Sequence, residues 1–142
     1  MQPVTHDLAH QLVSEEEGRI AHVYKDSEGF WTIGVGCLVD ARKGGGLCDE
    51  AIDVQLEHDM ALARRRAAAL VGFDSCNDVR QAVLVSMCFQ LGDLAGWPYF
   101  RSALERGEYA AAAAHGLDSL WAKQTPIRAQ RQMNMLSTGI WQ

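Results

Sequence analysis

A change of hydrophobic period at Gly18 constrains this chain more than any other feature. Upstream, over residues 5–16, Leu8, Leu12 and either Ala9 or Val13 recur at the spacing of one helical face. Gly18, just past Glu17, is a natural helix stop. Downstream, residues 20–24 and 30–35 read as two strands, joined by Lys25-Asp26-Ser27-Glu28-Gly29 as a short hairpin turn. Cys37-Leu38-Val39 offers a third short strand. Gly34 and Gly36 remove side-chain bulk from one edge, as a close backbone approach would need.

The rest of the chain reads as loop and then helix. Residues 40–47, centred on Gly44-Gly45-Gly46, form a loop. Asp49 or Asp53 starts a long helix to about residue 70, with Leu56, Met60 and Ala63 as its apolar face. Arg64-Arg65-Arg66 near its end suit the negative end of the helix dipole. Asn77 or Ser75 caps a helix over residues 78–91, apolar on most sides and therefore expected at the centre of its lobe, with Gly92 as its stop. Short helices follow over 99–106 and 108–115, the second holding the alanine run 110–114. Thr125-Pro126 opens a last helix to about residue 136, closed by Gly139. The expected architecture is a single α+β domain of two lobes. The N-terminal lobe covers about 14–50, the connecting helix about 49–70 and the helical lobe about 71–142, with helix 5–16 packed on the helical lobe. A cleft between lobes is the expected ligand site.

Composition narrows the function classes. An apolar fraction of 48% and a charged fraction of 22% suit a folded domain. No apolar run has membrane-span length, and the N-terminus lacks the basic-then-apolar pattern of a secretory signal. The net charge of −5 argues against nucleic acid as a partner. Residues 97–142 nevertheless carry five basic side chains (Arg101, Arg106, Lys123, Arg128, Arg131) against three acidic ones. That is either ordinary surface variation or a mildly basic face toward an anionic polymer. Cys37, Cys48, Cys76 and Cys88 show no C-x-x-C spacing and no adjoining histidine at zinc-site spacing, so no metal and no cofactor is expected. They read as reduced thiols, with one or two disulfides after release as the alternative.

Chemistry concentrates around the hairpin. Glu17 closes the first helix, Asp26 stands nine positions on at the end of a strand, and Thr32 six further on the next strand. Two carboxylates across a cleft are the minimum equipment for cleaving a glycosidic bond, one protonated as acid and one ionised to hold a water or face the developing positive charge. Asp26 and Thr32 are expected to line a wet cleft and to matter little for stability.

These residues resemble the T-even phage lysozymes, the endolysins of glycoside hydrolase family 24. The matching segments are Glu16-Glu17-Gly18, Tyr24-Lys25-Asp26, Glu28-Gly29 and Thr32-Ile33-Gly34-Val35-Gly36, then Phe89-Gln90-Leu91-Gly92, Trp121-Ala122-Lys123-Gln124-Thr125-Pro126-Ile127-Arg128-Ala129 and Thr138-Gly139-Ile140-Trp141. The resemblance implies a lysozyme-like fold and an inverting muramidase that cuts the β-1,4 bond between N-acetylmuramic acid and N-acetylglucosamine in peptidoglycan. It implies Glu17 as general acid, with Asp26 and Thr32 positioning or activating the water and Arg128 beside the acid. It places Leu38, Phe89, Gln90, Trp121 and Gln124 along the cleft, Phe89 and Trp121 being equally readable as core aromatics. Phe100 and His115 fall at sugar-contact positions but differ in type from the family residues. Cys37 stands where the family has a histidine, and the loop before the long helix is short. The implied partner is the glycan strand of peptidoglycan, met by a monomer. The implied location is the host cytoplasm until a holin or another route releases the protein to the periplasm and cell wall. A degenerate fold that only binds peptidoglycan or a protein is the competing reading.

Overall fold

A computed structural model of the protein describes residues 20–34, 37–38 and 46–142. The chain divides into two compact units, Met1–Leu56 and Glu57–Gln142. The helix expected over residues 5–16, together with Glu17, Gly18, Gly36 and most of the glycine loop, lies outside the described residues, as do the side chains of His22 and Cys37.

In the first unit, strands β1 (Ile20–Lys25), β2 (Trp31–Gly34) and β3 (Cys37–Leu38) form an antiparallel sheet in sequence order. The turn chemistry sets its register. Lys25 opposes Trp31 and Tyr24 opposes Thr32, with an irregularity in β1 before Ile20 meets Gly34. Thr32 sits on the central strand, opposite Tyr24 on one side and Leu38 on the other. Gly29 has φ 86°, which a residue with a Cβ adopts only at a cost, so the glycine lets the short turn close. Gly34 has φ 70°, which by itself calls for glycine, and among the described residues nothing lies within 4 Å of where its Cβ would stand.

Helix α1 (Asp49–Ala68) ends the first unit and begins the second. Its acidic first turn and basic last turn match the dipole. Its core-facing stripe is Met60, Ala63 and Ala67, continued by Leu70. Leu56, expected on that stripe, is 45% exposed, because it lies a turn before the helical core begins.

The second unit is helical. A 3-10 turn (Phe73–Ser75) precedes α2 (Asp78–Leu91), α3 (Pro98–Glu105), α4 (Tyr109–Leu117), α5 (Leu120–Gln124) and α6 (Pro126–Thr138). Asn77, not Ser75, caps α2, its side chain accepting from the Arg80 amide. Val83, Leu84, Val85, Met87 and Cys88 bury most of α2, as its sequence predicts, although Ala82 and Phe89 face out. α6 packs on α2, α4 and α5. A Cβ on Gly116 of α4 would collide with the Met133 side chain, so the absence of one lets α4 and α6 approach. Asn77 and Arg80 tie α2 to the end of α6. Asn77 Nδ2 donates to Gly139 O at 2.9 Å, and Arg80 donates to Leu136 O at 2.7 Å and Ser137 O at 3.0 Å. The short helix α5 was not expected from the sequence. Ser119 starts it by accepting from the Ala122 amide, and the Thr125 hydroxyl, expected to cap α6, donates instead to Trp121 O at the end of α5. No described helix is long and apolar enough to cross a membrane.

Candidate functional site

Main-chain geometry places the candidate site residues of the sheet unit. The Asp26 amide donates to Phe30 O at 2.8 Å, and Asp26 O accepts from the Gly29 amide at 3.1 Å. The Asp26 side chain then locks the turn, its Oδ1 accepting from the amides of Glu28 and Phe30, both at 2.9 Å. A carboxylate held this way has one oxygen committed to the backbone, while Oδ2 accepts no hydrogen bond among the described residues. Thr32 donates its hydroxyl to Phe30 O at 3.3 Å and is only 3% exposed. The expectation that both residues matter little for stability is therefore corrected. Asp26 is half-buried and organises the turn, and Thr32 is packed on the central strand. Leu38, opposite Thr32 on β3, is 45% exposed.

In the helical unit, Gln90 is a hub. Its Oε1 accepts from Trp121 Nε1 and from Arg128 Nη1, both at 2.9 Å. This joins α2, α5 and α6 through one amide oxygen. Trp121 is buried, so its N–H needs that partner. Arg128 is exposed and thereby held in place.

An open cleft of about 460 Å³ runs along the same unit, and Phe100, His115, Trp121 and Gln124 all line it. Phe100 is only 1% exposed, packed edge-on against Trp97 at 5.8 Å, and belongs to the floor. His115 and Gln124 are exposed at its surface. Phe89 is 47% exposed, which removes it from the core. Sequence reasoning passed over Tyr99, which is 74% exposed and stacks on His115 at 5.7 Å between ring centroids. It also passed over Trp97, Asp118 and Ser119 on the cleft wall. The signal available was the aromatic run Trp97-Pro98-Tyr99 at a helix start, where proline at the first helical position fixes what the neighbouring rings face.

Cys48, Cys76 and Cys88 are free thiols. Burial pushes the Cys88 thiol up to about 11 and raises that of Cys76, so both stay protonated at neutral pH. No group of three or more His, Cys, Asp or Glu comes together to hold a metal ion among the described residues.

A small sheet unit with a carboxylate-locked turn, and a helical unit with an aromatic, polar cleft, define a lysozyme-like α+β protein. The phage lysozyme family model matches residues 14–136, and the chain belongs to that family. The chain is 21% identical to a probable T4-type lysozyme 1 of Dictyostelium discoideum, over 90% of this chain and 92% of that protein. A probable T4-type lysozyme 2 of the same organism is 22% identical with the same coverage. The pre-baseplate central spike protein Gp5 of Enterobacteria phage T4 is 28% identical over 91% of this chain, which spans 27% of that protein. Membership supports a muramidase-like glycosidase function, with peptidoglycan as the family's substrate.

Proposed function

We propose that this protein is an inverting N-acetylmuramidase that hydrolyses the β-1,4 bond between N-acetylmuramic acid and N-acetylglucosamine in peptidoglycan, serving host-cell lysis. The observation that carries the reading is the family match over residues 14–136, a span that contains Glu17, Asp26 and Thr32 together. In this mechanism Glu17 gives its proton to the glycosidic oxygen as the C–O bond breaks. A water attacks the anomeric carbon from the opposite face and loses its proton to Asp26, so that acid and base exchange one proton each per turnover. The geometry of Asp26 suits the task. Oδ1 is fixed by two amides, which leaves Oδ2 to take the water's proton. The Thr32 hydroxyl, donating to Phe30 O, keeps its lone pairs to accept from that water.

In the helical unit Gln90, Trp121, Gln124 and Arg128 form the polar part of the saccharide-binding surface, with Phe89, Phe100 and His115, and Leu38 serves it from the sheet. Arg128 supports the acid. The protein acts as a monomer on glycan strands, stays in the host cytoplasm until a holin or another route releases it, and then works at the cell wall. The spike-protein relative favours one second reading, the same hydrolase carried on a phage particle. Immunodetection of the chain in purified particles separates the two routes.

Mass analysis of muropeptides released from purified peptidoglycan tests the chemistry. Reducing ends are the expected product. Anhydro ends would mean transglycosylation, and no release would mean a binding module.

A further inference from the structure

Away from that site, one concentration of positive charge has no counterpart. Arg65 and Arg66 stand in the last turn of α1 and Arg101 in the first turn of α3. All three line one open depression of about 360 Å³ together with Ala69, Leu70 and Ala95, and Asp93 is its only carboxylate among the described residues. Among the described residues none of the three guanidinium groups makes an ion pair or a hydrogen bond. Arg66 is half-buried, and its charge reaches the buried Cys88 thiol. Asp93 is partly occupied, its Oδ1 accepting from the Ala95 amide at 2.9 Å. Glu105 lines an adjoining smaller depression that shares Leu70 and Arg101, and its charge also bears on Arg106.

The helix dipole explains only part of this. It suits Arg65 and Arg66 at a C-terminus, but Arg101 is the fourth of the eight residues of its own helix and has no C-terminal dipole beside it. Three unpaired guanidinium groups brought together from two elements also repel one another. The chain as a whole is acidic, so the cluster is no side effect of a basic composition. Guanidinium forks match the paired oxygens of a phosphoryl group and bind it bidentately, and several converging forks give selectivity over a monatomic anion.

We propose that this depression is a phosphoryl-group site that takes either inorganic phosphate or the phosphate of an anionic lipid headgroup. The proposal does not rest on the muramidase reading. Its test is a phosphate titration of the whole protein at constant ionic strength, with chloride as the balancing anion, followed by the NMR shifts of the Ala69, Leu70 and Ala95 amides. Saturable shifts are expected. Arg101→Gln should weaken binding at least tenfold, and Arg101→Lys, which keeps the charge but loses the fork, should fall between. Arg106→Gln, an exposed arginine paired with Glu108 outside the depression, should bind as the parent does. These exposed substitutions should leave the melting temperature within a few degrees.

Sedimentation with phosphatidylglycerol/phosphatidylcholine vesicles, against phosphatidylcholine alone, then assigns the source. Binding to the anionic vesicles that Arg101→Gln abolishes identifies a headgroup. Phosphate binding without vesicle binding identifies the free anion. Two outcomes overturn the proposal: shifts no larger with phosphate than with chloride, or saturable shifts that survive the triple change Arg65→Gln, Arg66→Gln, Arg101→Gln.

Discussion

The sheet unit and the helical unit hold their polar groups by opposite means. In the sheet unit Asp26 is fixed by amides two and four residues away, so the whole arrangement is local. In the helical unit Gln90 is fixed by side chains 31 and 38 positions further on, on two other helices. A local device survives as long as its turn does. A long-range one exists only when the helical core is assembled, and it ties substrate-surface residues to global stability. Hairpin changes that keep the turn's hydrogen bonds should therefore separate activity from stability, and changes at the Gln90 hub that remove its acceptor should not.

The largest effect is expected at Asp26. Asp26→Asn keeps an Oδ1 that can accept from both amides but removes the base. Turnover should fall by about 10²–10⁴-fold, with a melting temperature close to the parent's. Asp26→Ala should lose turnover to the same degree and also lower the melting temperature, since both turn hydrogen bonds go. Equal melting of the two variants would break the claim that the turn depends on this side chain.

At the hub, Gln90→Leu leaves the buried Trp121 N–H without its acceptor. A loss of about 1–3 kcal/mol in urea-unfolding stability is expected, together with a fall in activity. Gln90→Glu retains an acceptor for Trp121 and Arg128 and should recover most of the stability. A Gln90→Leu protein of parental stability would show that the hub is decorative.

Alkaline pH tests the core of the helical unit. The folded Cys88 thiol is raised from the ordinary 9.0 to about 11. Between those values the unfolded chain loses a proton that the folded chain keeps. The stability is thus fully present below pH 9 and lost as pH rises toward 11, with a slope of at most about 1.4 kcal/mol per pH unit from this group. Denaturant melts between pH 8 and 11 should show a shallower alkaline decline in Cys88→Ala, whatever its starting stability.

The smallest effect is expected at Asn77. Asn77→Ala removes the α2 cap and the bond to Gly139 O and should cost about 1 kcal/mol, with turnover unchanged.

The same contrast explains what the sequence made legible. The hairpin was readable because its signals are adjacent: alternating strands, an Asx-turn residue and a glycine at positive φ within ten positions. The Asn77 cap and the Gly92 and Gly139 stops were readable for the same reason. Trp121 and Gln124, which have family counterparts, line the cleft of the helical unit, and Trp121 is at the same time part of the buried core that the sequence allowed as the alternative. The Gln90 hub was not legible, because no local pattern announces a hydrogen bond to a partner on another helix. Nor was the short helix α5, whose cap Ser119 and closing Thr125 read equally well as loop. Leu56 was misplaced on a buried face for a related reason. Periodicity tells which residues share a face, while the neighbours that arrive later decide whether that face is covered, and Leu56 is 45% exposed.

Turbidity loss of purified peptidoglycan, measured for the native protein beside Glu17→Gln, tests the central claim most directly. The amide keeps the shape of the acid and cannot donate the proton that the leaving oxygen needs. The account predicts clearing by the native protein and none by Glu17→Gln at equal concentration and equal melting temperature. Clearing by Glu17→Gln at near-native rate would contradict it.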